Sequence, residues 1–305
     1  MYSDFQIVVS SENTQYMGWQ TQLFCYSAVS RLKKSPLIVV HRTDETLRGE
    51  FRLLRKLGFR VVEAPSYRMH PRGLYAPRNE LGTLVTVAEI VNLRTRQVLF
   101  CEPDMLFVSR LDYTGCSVAA EYYRYLHYEE PRVRSVAERY GFGHQIDWLN
   151  QTSCFGVPYL LPVPNIPRIA HRWIEVLDSF DAIEWIDIMY AFGIALAVEG
   201  MSAEITHIMA DNYDHAVPLS AGLIHYCYGD AIWNKRNFMD HSPLSLSSNV
   251  LPIAKPGTVL AEIVTQIQEA GRFFRAGQFL DGEVWQHRIH QWIARCKNAI
   301  GTVGS

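Results

Sequence analysis

Short apolar runs alternate with amphipathic stretches through the first hundred residues. Phe5–Ser10 is rich in Val and Ile and predicts a buried strand. Tyr16–Leu32 has helical spacing, with Trp19, Leu23, Tyr26 and Val29 or Ser30 on one face. Pro36–His41 predicts a second strand. Thr43 or Asp44 is placed to cap a helix running to Leu57, which Gly58 ends. Phe59–Ala64 predicts a third strand, Pro77–Leu93 a helix and Gln97–Cys101 a fourth strand. This β-α-β-α-β-α-β order implies a parallel sheet with helices on both faces. Ligands of such sheets bind beyond the carboxyl ends of the strands, here just after Ser10, around His41 and just after Cys101.

The later pattern is mixed. Ser117–Tyr122 predicts a strand and Glu130–Tyr140 a helix, followed by polar turns from Gly141 to Ser153. Pro158–Pro167 reads as a proline-rich connection. Helices follow at Pro167–Phe180 and Glu184–Glu199; the second is apolar nearly all round, which predicts burial. Ala203–Ile208 and Gly222–Tyr226 predict strands, Asn234–Pro252 an irregular stretch, and Thr258–Phe273 and Asp281–Ala299 helices. With no repeat, low-complexity tract or clear linker, residues 1–305 read as one continuous α/β domain.

Composition narrows the class. With 48% apolar and 20% charged residues, the chain is an ordinary globular one and not disordered, collagen-like or coiled-coil. The longest apolar run, Ile188–Val198, falls well short of the roughly 20 residues a spanning helix needs. The first residues lack the basic and apolar regions of a signal peptide, so a cytoplasmic location is expected. Cys25, Cys101, Cys116, Cys154, Cys227 and Cys296 are scattered and predict free thiols. The net charge of −2 hides an asymmetry: residues 31–96 hold 14 Lys and Arg against 6 Asp and Glu. That segment suits either an anion or a solvated basic face.

The sharpest chemical feature is Leu99-Phe100-Cys101-Glu102-Pro103-Asp104. An apolar strand runs into two carboxylates spaced i, i+2, which share a side in extended backbone. Hard oxygen ligands at a strand end suit Mg²⁺ or Mn²⁺ shared with substrate phosphates, or form a simple acidic turn. A second apolar run delivers His225, followed by Trp233, Asn234 and Lys235. Imidazole can complete a carboxylate metal site, and lysine can neutralise phosphate. No GxGxxG, P-loop, HExxH or GxSxG occurs, and His287 and His290 read as surface residues.

In order along the chain, Tyr16-Met17-Gly18-Trp19-Gln20, Glu102-Pro103-Asp104 with Leu106-Phe107-Val108, Met189-Tyr190-Ala191-Phe192, and Ile224-His225-Tyr226-Cys227-Tyr228-Gly229 with Asn234-Lys235 resemble the hydroxyproline O-arabinosyltransferases and related peptidyl-serine galactosyltransferases. The chain departs from that pattern at Ile188, where the family carries Glu; Asp187 precedes it. The resemblance implies a single GT-A-like domain with a mostly parallel, Rossmann-like sheet. Residues 1–108 would form the nucleotide-sugar half, 109–235 the acceptor half and 236–305 a C-terminal extension with helices. It implies a retaining transferase moving an arabinose- or galactose-like sugar from a UDP-sugar to a hydroxyl acceptor such as peptidyl hydroxyproline or serine. Glu102, Asp104 and His225 would hold Mn²⁺ or Mg²⁺. Ser10, Trp19, Gln20, Arg78, Asn79, Glu102, Trp233 and Lys235 would border the donor. Asp187 or Asp147 would orient the acceptor hydroxyl or stabilise an oxocarbenium-like sugar, with Asp187 alternatively a plain helix N-terminal acid, and Trp185 reads as a core residue rather than a sugar-stacking one. Two alternatives stand beside it: a transferase acting on hydroxymethylated bases of phage-type DNA, and a non-catalytic nucleotide-sugar-binding protein. No membrane partner is expected.

Overall fold

The computed structural model describes residues 5–43, 45–109, 111, 117–206, 209–212, 222–227, 233–245 and 251–278. Along the first half run β1 (Phe5–Glu12), α1 (Gln15–Ser27), β2 (Leu37–Arg42), α2 (Gly49–Lys56), β3 (Arg60–Pro65), the hairpin β4 (Met69–His70) and β5 (Gly73–Leu74), α3 (Arg78–Ile90), β6 (Gln97–Cys101) and β7 (Met105–Phe107). There follow β8 (Val118–Tyr122), α4 (Pro131–Arg139), α5 (Ile146–Thr152), β9 (Phe155–Pro162), α6 (Ile166–Asp178), α7 (Asp187–Val198), β10 (Ala203–Thr206), β11 (Met209–Asn212), β12 (Leu223–His225) and α8 (Val259–Gln278).

Seven strands form one sheet in the order β10-β8-β9-β6-β1-β2-β3. The first four predicted strands pair in parallel, as the β-α alternation requires. β9 runs antiparallel to both β6 and β8 and stitches the later strands onto the parallel half. A second sheet has the order β11-β12-β7. Two helix groups flank the main sheet, α1 with α2 and α8, and α3 with α6 and α7.

The segment Pro158–Pro167, expected as connection, is a correction. Its first residues belong to β9, a central and almost wholly buried strand. Proline normally avoids such strands because it has no N–H for the ladder. Here the register against β8 jumps between Ala120↔Tyr159 and Glu121↔Gly156, so Val157 and Pro158 sit in a bulge. Helix α2 is a second correction. It starts at Gly49, because Asn13 Oδ1 accepts the Arg48 N–H at 2.9 Å and draws the preceding residues into a loop; Asp44 lies outside the described residues. α1 continues through a π-helical turn, Ala28–Leu32, that completes the predicted span. The polar stretch before β9 contains α5. The predicted helix Asp281–Ala299, with His287 and His290, lies outside the described residues, as do Cys116 and Cys296.

Apolar helix α7 is buried as expected. Phe192 packs on Tyr159 and Trp173 with ring centroids 4.2 and 4.6 Å away. At Gly193 a Cβ would run into Tyr128 Oη and the Ser153 carbonyl, so α7 approaches as closely as it does only with glycine there. Cys25, Cys101 and Cys154 are buried free thiols. Among the described residues no helix is long and apolar enough to cross a membrane.

Candidate metal centre

A cavity of about 750 Å³ opens at the carboxyl ends of β1 and β6. Its walls come from Ser10 and Glu12 of β1, Tyr16 and Gln20 of α1, Asn79 and Glu80 of α3, the turn Glu102–Asp104, and Lys235 and Arg236. The first turns of α1 and α3 both border it, and the partial positive charge of helix N-termini favours an anion in that position.

The two carboxylates leave the strand before they meet the cavity. β6 ends at Cys101, and Glu102 and Asp104 lie in the turn that leads into β7. β7 then pairs antiparallel with β12, which sets His225 opposite Met105. Tyr226 pins the turn by donating its N–H to the Asp104 carbonyl at 3.0 Å. The outcome is a three-residue cluster drawn from positions far apart in the chain. One ligand atom each of Glu102, Asp104 and His225 lies within 4.8 Å of the others. His225 Nε2 is 3.1 Å from Glu102 Oε2 and 3.3 Å from Asp104 Oδ1. It is buried and makes no aligned hydrogen bond at those distances. Lys235 Nζ bonds the second Asp104 oxygen.

The electrostatics follow from crowding. Burial raises the Asp104 carboxyl, but the Lys235 ammonium and then His225 outweigh it and hold Asp104 well below the usual carboxylate range. Burial lowers the His225 imidazole, yet Asp104 and Glu102 hold it well above its ordinary value near 6.5. Glu80 behaves oppositely. Burial, then the charge and hydrogen bond of Glu102, push the Glu80 carboxyl well above its ordinary value.

A divalent cation fits this set. Two carboxylates and one imidazole are a hard oxygen and nitrogen donor group suited to Mn²⁺ or Mg²⁺. The buried Nε2 without an aligned hydrogen bond is the polar atom that coordination would satisfy. Tyr123 Oη lies 3.5 Å from the other ring nitrogen and supports its orientation.

Of the residues singled out in the sequence, Ser10, Gln20, Asn79, Glu102, Asp104, His225 and Lys235 all line the cavity. Asn79 donates to Glu12 Oε1 at 2.8 Å and accepts the Tyr67 N–H at 2.8 Å. Trp19 and Trp233 stand behind the wall. Trp19 stacks on Tyr226 and donates to the Phe238 carbonyl at 2.9 Å, and Trp233 meets Tyr226 edge-on. Together they clamp the segment carrying Lys235 onto α1. Arg78 lies outside the lining, with its guanidinium on Asp178 at 2.7 and 3.1 Å. Asp147 is exposed in the first turn of α5 and lies outside the lining. Asp187 is 0% exposed, pairs with Arg132, and accepts the Glu184 N–H at 2.7 Å. Trp185, expected in the core, is 54% exposed and lines the cavity.

Glu12, Glu80, Arg48 and Arg236 also line the cavity and were not singled out by sequence reasoning. Only Glu80 carries a local signal, an acid in the first turn of an otherwise apolar-faced helix. Part of the basic excess of residues 31–96 is paired with acids elsewhere in the chain: Arg31 with Glu262 and Glu269, Arg68 with Glu12, Arg72 with Asp181 and Arg78 with Asp178.

The mostly parallel seven-stranded sheet flanked by helices is a fold like that of the GT-A glycosyltransferases. Among solved structures, the chain is similar to the galactosyltransferase LgtC in complex with donor and acceptor sugar analogues. The TM-score is 0.53 at 13% identity, over 88% of this chain and 96% of that one. An active-site mutant of LgtC aligns with a TM-score of 0.51 at 13% identity, over 87% and 96%. No family model matches the sequence. No curated protein matches it either.

Proposed function

We propose that the chain is a metal-dependent glycosyltransferase that moves a sugar from a UDP-sugar to a hydroxyl acceptor. One observation carries the reading: Glu102, Asp104 and His225 converge in a cavity that Lys235 also enters and two helix N-termini border. The carboxylates and imidazole would hold Mn²⁺ or Mg²⁺. When bound, the cation supplies Lewis-acid neutralisation of the diphosphate, where negative charge grows in the transition state. Lys235 and Arg236 add positive charge at the same leaving group. Glu80, hydrogen-bonded to Glu102, would keep that carboxylate oriented. The bond from the anomeric carbon to the diphosphate breaks, the acceptor oxygen forms the new one, and the acceptor proton passes to the departing phosphate oxygen.

The finer reading follows the sequence resemblance: an arabinose- or galactose-like sugar, retention of configuration, and a peptidyl hydroxyproline or serine acceptor. Asp187 and Asp147 take no part in proton transfer in this reading, since neither lines the cavity. The test is release of free nucleotide from UDP-, GDP- and dTDP-sugars, with Mn²⁺ or with chelator. Metal-dependent release from one UDP-sugar, lost in Asp104→Ala, supports the reading. UDP binding without turnover on any acceptor supports a binding protein instead, and no nucleotide binding at all overturns both.

A further inference from the structure

We propose that His41 is a positioning residue for the donor: through Thr83 it turns the Ser10 hydroxyl so that Ser10 accepts a hydrogen bond from a hydroxyl or N–H of the nucleotide-sugar, which rests on the transferase reading above. His41 lies in β2, is buried and does not line the cavity. Its Nδ1 is 2.8 Å from the Pro65 carbonyl, and its Nε2 is 2.8 Å from Thr83 Oγ1. Thr83 Oγ1 lies 2.9 Å from Ser10 Oγ, which in turn lies 3.3 Å from the Asn79 carbonyl. A line of buried polar contacts thus runs from a histidine behind the wall to a serine in it.

Counting hydrogens fixes the direction of that line. A carbonyl only accepts, so the hydrogen of a neutral imidazole sits on Nδ1 and Nε2 is left an acceptor. Burial is the largest influence on His41 and holds it below its ordinary value near 6.5, which keeps it neutral at pH 7. Glu12, its register partner on β1, is engaged by Asn79 at 2.8 Å and by Arg68 at 3.7 Å, and Tyr67 meets the ring edge-on with centroids 6.1 Å apart. Four contacts separate the Pro65 and Asn79 carbonyls, and neutral His41, Thr83 and Ser10 bring three hydrogens to them. The Thr83 hydrogen goes to Nε2, which would otherwise be a buried acceptor without a donor. The Ser10 hydrogen is left with the Asn79 carbonyl or the bare Thr83 oxygen, and both are buried. Either choice turns it away from the cavity, so Ser10 meets a ligand with a lone pair. A cationic His41 would donate to Thr83 instead, return the Thr83 hydrogen to Ser10 and free the Ser10 hydrogen for a phosphate oxygen. A metal-bound diphosphate offers only acceptors, so Ser10 faces the part of the donor that carries hydrogens, the nucleoside or the sugar.

The experiment has two parts. Nitrogen-15 spectra of histidine-labelled protein, with His41→Asn assigning the signal, read the ring at neutral pH. The expected state is a neutral imidazole with its hydrogen on Nδ1, and a cationic ring or a hydrogen on Nε2 overturns the proposal. Titration calorimetry with Mn²⁺ then compares UDP, UDP-galactose and methyl diphosphate at about pH 8, where the terminal phosphate carries no hydrogen. Ser10→Ala should weaken UDP about tenfold and methyl diphosphate by less than about twofold. Thr83→Val, which cuts His41 off from Ser10, should weaken UDP about threefold, Thr83→Ser should restore it, and Thr83→Val should add nothing to Ser10→Ala. A loss seen with UDP puts the recognised hydrogen on the nucleoside; a loss confined to UDP-galactose supports the proposal equally and puts it on the sugar. Equal losses for UDP and methyl diphosphate, or unchanged affinity for both UDP and UDP-galactose in Ser10→Ala, overturn the proposal alone. Failure of the wild-type protein to bind either nucleotide with Mn²⁺ removes the transferase reading and the proposal together.

Discussion

Asp187→Asn separates a brace from a reacting group. The Asp187 side chain is 0% exposed, and both its oxygens are engaged, one by Arg132 and one by the Glu184 N–H. Asparagine keeps an acceptor for that N–H only by turning its amide N–H₂, a donor, toward the guanidinium. Breaking a buried ion pair typically costs about 3–5 kcal/mol. Arg132 retains Glu184 at 3.1 Å and Glu130 at 3.2 Å, so its charge is not stranded. The loss should then approach that of one charge-assisted hydrogen bond, about 2 kcal/mol. Arg132→Met strands the buried carboxylate instead and should cost more, about 3–5 kcal/mol. Urea unfolding followed by fluorescence measures both, and the double variant should recover part of the sum. Nucleotide release without acceptor should stay within about twofold in Asp187→Asn, since the residue is absent from the cavity wall. Wild-type stability combined with a loss of turnover of about a thousandfold would refute the bracing role and make Asp187 a reacting group.

Three further outcomes are expected. Because Asp104 and Glu102 raise His225, a cation must displace its proton, so Mn²⁺ affinity should climb up to about tenfold per pH unit toward that raised value. The same shift stabilises the fold below the ordinary histidine value and is lost as pH rises through the raised one; calorimetry in buffers of different ionisation heat measures the released proton, and His225→Gln should abolish it. Lys235→Met removes a cation that competes for Asp104, so Mn²⁺ alone should bind up to about tenfold tighter while UDP binds more weakly, as titration of each ligand would show. Gly193→Ala should destabilise by about 1–3 kcal/mol through overpacking against Tyr128 and Ser153, read as a lower denaturation midpoint with the same slope.

The parallel half was legible because its signals are local. Runs such as Phe5–Ser10 and Gln97–Cys101 are mostly β-branched or apolar, and helical stretches separate them. β9 was hidden because its prolines act as punctuation in a linear reading, and only pairing with β8 reveals the bulge that takes Pro158. The metal cluster was legible for a related reason. Two carboxylates after an apolar strand and a histidine ending another are each visible alone, and the β7–β12 pairing brings them together. Trp19 and Trp233 were legible as important but not as packing, because nothing local distinguishes an aromatic in a cavity wall from one behind it. Trp185 shows the reverse error. It stands exposed on a turn whose carbonyl Tyr75, more than a hundred residues earlier, holds.

The order of synthesis gives the antiparallel joint between β7 and β12 another meaning. Every strand of the seven-stranded sheet has left the ribosome by Thr206, whereas His225 comes later. Glu102 and Asp104 are therefore made well before their imidazole partner, and the turn that carries them gains the support of β12 only when that later segment follows. The two carboxylates alone are an undiscriminating oxygen site, open to any abundant divalent ion. The nitrogen donor that would shift preference toward a transition metal is therefore the last of the three side chains to be made.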